Sequence, residues 1–117
     1  MSVPADPQHG APFSVDVRRE GGVTTVTPEG EVDLATAAEL EAAVGELPAG
    51  GRCVVDLRRL AFMDSAGLRA IMRLDLRGRE EGWGLVVVPG DGMVRRLLEV
   101  SRVGDRVRVV DAPEAVE

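Results

Sequence analysis

The segment Val54-Val55-Asp56-Leu57-Arg58-Arg59-Leu60-Ala61-Phe62-Met63-Asp64-Ser65-Ala66-Gly67-Leu68 carries the architecture of this chain. With Cys53 before it, Val54-Val55 makes a short continuous apolar run, as expected of a strand covered on both faces, and Asp56 sits near its C-terminal end. Leu60 to Met63 leads into Asp64-Ser65, after which Gly67, Ile71 and Leu74 form an apolar stripe at helical spacing, with Leu68 and Met72 beside it. The helix is expected to end near Gly78. Strand, loop and amphipathic helix in this order are the unit of an open α/β sheet, and such sheets place their sites in loops beyond the carboxyl ends of the strands.

Upstream, Phe13, Val15 and Val17 alternate with Ser14, Asp16 and Arg18, the period-2 pattern of a half-buried strand. Glu20-Gly21-Gly22 turns the chain into a second strand, Val23 to Thr27, which Pro28 is expected to end. Asp33 is placed to cap a helix with Ala37, Leu40, Val44 and Leu47 inward and Glu39, Glu41 and Glu46 outward, stopped by Pro48 and Gly50-Gly51. Downstream, Leu85 to Val88 reads as a buried strand. Gly90-Asp91-Gly92 opens a helix with Met93, Leu97 and Val100 inward, and Val107 to Val110 forms a last strand. Asp111 with Pro113 is suited to begin a final short helix. The expected fold is α/β: a mixed sheet with helices packed against it, in the order ββαβαβαβ, with that C-terminal helix as an optional addition.

The chain has 117 residues, enough for one domain that buries roughly two-thirds of its unfolded surface without staples. Residues 1–12 read as a flexible tail and 13–117 as the domain. The tail has neither the basic nor the apolar region of a secretory signal, and no apolar run approaches the roughly 20 residues of a membrane span. A lone Cys53 excludes an internal disulfide, no Cys/His cluster suggests a metal, and a reducing, cytoplasmic setting follows. The net charge of -6 disfavours nucleic acid and anionic lipid as partners. All 14 basic residues are Arg, while Lys, Asn and Tyr are absent, which points to a GC-rich, bacterial genome.

A hydroxyl at a helix N-terminus lies beside unpaired N–H groups and the positive end of the helix dipole, so Ser65 is chemically suited to carry phosphate. Asp-Ser before an apolar helix is equally an ordinary capping sequence. The whole segment from Val54 to Leu68, however, closely resembles the signature of STAS domains, the sulfate-transporter and anti-sigma-factor-antagonist family. The resemblance runs from about Phe13 to Val110 and includes Gly30-Glu31-Val32-Asp33 and Leu97-Leu98-Glu99-Val100.

The resemblance implies that Ser65 matches the serine phosphorylated in anti-sigma factor antagonists, that Asp64 precedes it as in the family, and that Asp33 matches an acidic position of the partner-facing surface. Asp56 matches the family's strand-end acidic position. The implied function is partner switching: the domain binds an anti-sigma factor that is a serine kinase, a sigma factor is released, and phosphorylation of Ser65 ends the binding. The kinase brings ATP, a serine phosphatase resets the switch, and the domain needs no cofactor of its own. Asp33, Met63, Asp64, Ser65, Gly67 and Arg69 are the expected partner-binding residues, with Met63 as an exposed apolar contact. The alternative is a STAS adaptor of a stress-signalling or lipid-transport assembly without a phosphorylation cycle. The start at Met1 argues for a free-standing antagonist over a domain cut from a transporter.

Enzymatic readings fare worse. His9, the single histidine, falls in the tail, and Met63 stands where a nucleophile elbow needs glycine. Gly82-Trp83-Gly84 and Gly90-Asp91-Gly92 are too short for nucleotide fingerprints and read as turns, with Trp83 expected to be partly exposed and Cys53 a small core residue. Arg69, Arg73 and Arg77 form a basic stripe, expected to be a solvated face; Arg69, one turn from Ser65, is also placed to screen a phosphate there.

Overall fold

The computed structural model describes residues 12–112. The tail, His9 and the C-terminal helix expected around Pro113 lie outside these residues. Strand β1 (Ser14–Glu20) forms a hairpin with β2 (Val23–Val32) through Gly21 and Gly22, both at positive φ, which glycine adopts without a Cβ clash. Then follow α1 (Ala37–Val44), β3 (Arg52–Asp56), β4 (Leu60–Met63), α2 (Ser65–Glu81), β5 (Gly84–Val88), α3 (Met93–Ser101), a 3-10 turn (Val103–Asp105) and β6 (Arg108–Val109). The strands lie in the order β1-β2-β3-β5-β6, with β1 antiparallel and the rest parallel; β4 pairs with the far end of β2.

The mixed sheet with packed helices is the expected architecture, with one strand more. Leu60–Met63 is not a lead-in loop but a short parallel strand beside Gly30–Val32. Its existence depends on β2, which does not stop at Pro28. The proline sits where the parallel neighbour of β2 changes from β3, paired through Val26, to β4, paired from Gly30, so no donor is missed in the parallel ladder there.

The core lies between sheet and helices: Val26, Val32 and Val55 from the strands meet Leu40 and Val44 of α1, Ile71 and Leu74 of α2 and Leu98 of α3, all at most 2 % exposed. Val54, Val86 and Val88 face the other way and form a second, smaller cluster. Both faces of the central strands are therefore apolar, as the unbroken valine runs required.

Several elements depart from their expected limits. Helix α1 stops at Val44 because Gly45 takes φ 64, before Pro48 is reached, and Leu47 is buried just beyond it. Helix α2 runs past Gly78 to Glu81 and ends on Gly82 in the left-handed conformation. Gly78 is a packing site: a Cβ there would lie 2.6 Å from the Trp83 carbonyl and 2.8 Å from its ring. Trp83 is consequently buried, not partly exposed, with Nε1 donating to Glu81 Oε1. In α3 the buried residues are Val94 and Leu98, and Leu97 is half-buried against the core as expected, while Met93 and Val100 are exposed. The helix carries two apolar stripes one residue apart, and the one through Val94 and Leu98 is the more deeply buried. The last strand contracts to Arg108–Val109. Cys53 is fully buried, as expected, and burial pushes its thiol up to about 12, with Arg77 and Arg19 opposing weakly.

Candidate functional site

Parallel pairing of β2 with β4 builds the site. Val32 stands opposite Met63 in the ladder, so Asp33 and Asp64 leave adjacent strands at the same level. The Asp64 N–H donates to the Val32 carbonyl at 3.2 Å and locks the two exits together.

Asp64 takes an extended conformation and is the N-cap of α2: Ala66 N–H donates to its Oδ1 at 2.8 Å, while Gly67 and Leu68 N–H groups reach its carbonyl. The capping reading of Asp-Ser is thus satisfied by the aspartate alone. Ser65, the first residue of the helix, is exposed, and its hydroxyl makes no hydrogen bond among the described residues. It stands over the positive end of a 17-residue helix.

Asp33 does not cap α1 directly. The N-cap is Thr36, because a turn through Leu34 and Ala35 intervenes. Asp33 closes that turn: Oδ1 accepts from Ala35 N–H at 2.9 Å and Thr36 N–H at 3.2 Å. In return the Thr36 hydroxyl accepts from Asp33 N–H at 2.9 Å and donates to the Glu31 carbonyl at 2.8 Å. The half-buried carboxylate is held next to the Asp64–Ser65 corner.

Two of the expected contact residues lie below the surface. Met63 is 1 % exposed and packs beneath α2, so it is a core residue and not an exposed apolar contact. Gly67 is buried directly over it: a Cβ at this position would come within 2.2 Å of Met63 Cγ, 2.7 Å of its Sδ and 3.2 Å of Val32 Cγ1. The absence of a side chain at Gly67 lets the first turn of α2 sit on β2 and β4, which sets where Ser65 emerges. Asp56 stays outside the cluster. It points to the sheet face opposite the helices and receives Arg58 Nε and Nη2 in a bidentate pair at 2.9 and 2.8 Å. Burial alone would raise its pKa, but the hydrogen bonds and charge of Arg58 outweigh that and hold the carboxyl below the usual range.

The basic stripe divides in two. Arg73 makes a bidentate pair with Glu41 at 2.9 and 2.7 Å, and Arg77 donates to the Gly45 carbonyl, so both tie α2 to α1. Arg69 is exposed and has no ion-pair partner among the described residues. Ser65, Arg69, Met72 and Leu76 recur at steps of four, three and four residues and share one face of α2. Met72 is 37 % exposed, Leu76 58 %, and Leu34 in the Asp33 turn 83 %. Met72 was read as lying beside the inward stripe of the helix, whereas Leu34 and Leu76 escaped the sequence reading. Leu34 falls three residues before Ala37, the same step as Ala37 to Leu40, so spacing alone groups it with the inward stripe; it is exposed because it lies in the turn before α1.

No helix among the described residues is long and apolar enough to cross a membrane. A family model described as "Mlab, STAS domain" matches residues 15–111. The anti-sigma-F factor antagonist RsfB of Mycobacterium tuberculosis is 40 % identical over 61 residues, which are 50 % of each chain, so the alignment spans about half the length of this curated relative. The crystal structure of an anti-sigma factor antagonist from Mycobacterium paratuberculosis superposes with a TM-score of 0.71 at 26 % identity, over 97 % of this chain and 93 % of that one. The anti-sigma factor antagonist SpoIIAA in its unphosphorylated form shares the fold at 15 % identity, with a TM-score of 0.65 over 86 % of this chain and 91 % of that one.

Proposed function

Because the chain belongs to the STAS family, we propose that it is an anti-sigma factor antagonist that binds an anti-sigma factor serine kinase and is switched off by phosphorylation of Ser65. The carrying observation is the division of labour at the helix start: Asp64 satisfies the cap, leaving the Ser65 hydroxyl exposed and unbonded. The likeness to RsfB and to the Mycobacterium paratuberculosis antagonist supports the antagonist role. In this reading Leu34, Met72 and Leu76 supply apolar contact, Arg69 meets an acidic group of the partner, and a sigma factor is released as the kinase is engaged. The setting is the cytoplasm, where ATP arrives with the kinase and a serine phosphatase restores the hydroxyl.

Phosphate adds about -1.5 to -2 charges beside Asp33 and Asp64, so an acidic partner is repelled from a corner that was already negative. For unit charges roughly 7 Å apart at an effective dielectric of about 20, each pair costs about 2 kcal/mol, or roughly thirtyfold in affinity. One modification is then enough to release the complex.

The test is a titration of the protein against its anti-sigma factor kinase. Ser65→Ala is expected to bind like the wild type and to resist inactivation by kinase and ATP; Ser65→Glu is expected to bind roughly tenfold or more weakly. A glutamate in the first turn favours the helix dipole, so thermal stability must hold while binding falls. Equal affinities of the two variants refute the switch and leave an adaptor without a phosphorylation cycle.

A further inference from the structure

Among the described residues, strand β1 pairs with β2 on one side only and ends the sheet. It presents seven residues of edge without proline or bulge, the kind of edge that pairs with another strand unless something prevents it. Charged side chains are the usual deterrent, and β1 carries Asp16, Arg18, Arg19 and Glu20. Their order gives them the opposite effect in one arrangement. When two copies of Ser14–Glu20 run antiparallel about a two-fold axis through Val17, Asp16 falls opposite the second copy's Arg18, and Arg18 opposite its Asp16. Ser14 falls opposite Glu20, and Val17 meets itself. Within one chain Asp16 and Arg18 share a face and form a loose ion pair at 3.6 Å, with side chains 68 % and 81 % exposed, so the dimer would exchange the intrachain pair of each copy for two across the axis.

The neighbouring registers are penalised. Shifting the pair by two residues in one direction sets Asp16 against Asp16, and in the other sets Arg18 against Arg18 with Asp16 facing Glu20. Like charges directly opposite destabilise a strand pair, and opposite charges stabilise it. Shifts by a single residue would turn one copy's helices to the other side of the sheet. Of these registers, the one centred on Val17 joins the two sheets with Asp16 and Arg18 matched, Arg19 opposite Val15, and both helix layers on one side. Val15 and Val17, half-buried on the helix face, would lose their remaining exposure.

We infer that this protein self-associates through β1, forming a two-fold dimer with one continuous sheet across Asp16–Arg18 pairs. The edge is short, so the contact is small and the dimer weak, of the transient class. Both copies keep the Ser65 corner free, since β1 contributes none of its residues.

Sedimentation of the full chain over a wide concentration range tests this. The wild type is expected to show reversible dimerisation. Arg18→Asp sets a second carboxylate opposite Asp16 twice per dimer and is expected to weaken it by roughly tenfold or more. The double exchange Asp16→Arg with Arg18→Asp restores the complementarity and is expected to recover the dimer. Both positions are exposed, and matching thermal melts confirm that the variants fold. A wild type that stays monomeric throughout, a dimer indifferent to Arg18→Asp, or failure of the double exchange to rescue it would each overturn the inference.

Discussion

Replacing Gly67 with alanine tests how the Asp64–Ser65 corner is held. In a free helix this change is favourable by about 1 kcal/mol, because glycine loses more backbone entropy than alanine. Here the new Cβ would lie 2.2 Å from Met63 Cγ and 2.7 Å from its Sδ, far inside the roughly 3.5 to 4.0 Å of a normal carbon contact. Met63 is 1 % exposed and cannot swing into water, and Val32 closes the third side at 3.2 Å. Either the methionine leaves its rotamer or α2 lifts off β4. Overpacking of this kind costs about 1 to 3 kcal/mol, more than the helix gains. Gly67→Ala is therefore expected to lower stability by up to about 2 kcal/mol in urea denaturation, and to weaken binding of the proposed kinase partner by displacing Ser65.

The double variant Gly67→Ala with Met63→Ala isolates the cause. Met63→Ala alone should cost about 2 to 5 kcal/mol, but it empties the space the new methyl needs, so the two effects should fall short of their sum by about 1 kcal/mol or more. A Gly67→Ala protein more stable than the wild type, or strict additivity in the double variant, would refute the packing account.

Further outcomes follow from the same contacts. Asp64→Ala removes the cap on α2 and is expected to cost about 1 kcal/mol in thermal or urea unfolding, whereas Asp64→Asn, which keeps the accepting oxygen, should cost less. Asp56 titrates below its unfolded value, so its stabilising pair with Arg58 is fully present above about pH 4 and is lost as the pH falls through the folded pKa. Asp56→Asn should accordingly show a weaker loss of stability between about pH 5 and the acid limit than the wild type, seen in urea midpoints at each pH. Cys53, with its thiol at about 12 and no exposed surface, should resist alkylation at neutral pH until the protein unfolds, as followed by mass spectrometry.

The α/β class, the hairpin, the buried valine strands and the helix after Asp64 were legible in the residues alone. Each rests on local patterning: alternation in Val15 and Val17, unbroken apolar runs in Val54-Val55 and Leu85–Val88, and the 3-4 spacing of Gly67, Ile71 and Leu74. The Asp64–Ser65 corner was singled out by the resemblance of Val54–Leu68 to the STAS signature, because Asp-Ser before an apolar helix is by itself equally a cap. What tertiary structure alone decided were matters of partnership. Leu60–Met63 has no strand pattern of its own and becomes one only because β2 extends past Pro28 to receive it. Met63 and Gly67 look like surface neighbours of Ser65 in sequence, yet register and close packing send both inward. In α3 the apolar spacing placed Met93, Leu97 and Val100 inward, yet packing against the rest of the fold buries Val94 and Leu98. Of three arginines at identical spacing, Glu41 and the Gly45 carbonyl take two and leave Arg69 to the surface. A sequence specifies periodicity and polarity along one chain, whereas these assignments depend on which group from a distant segment arrives opposite.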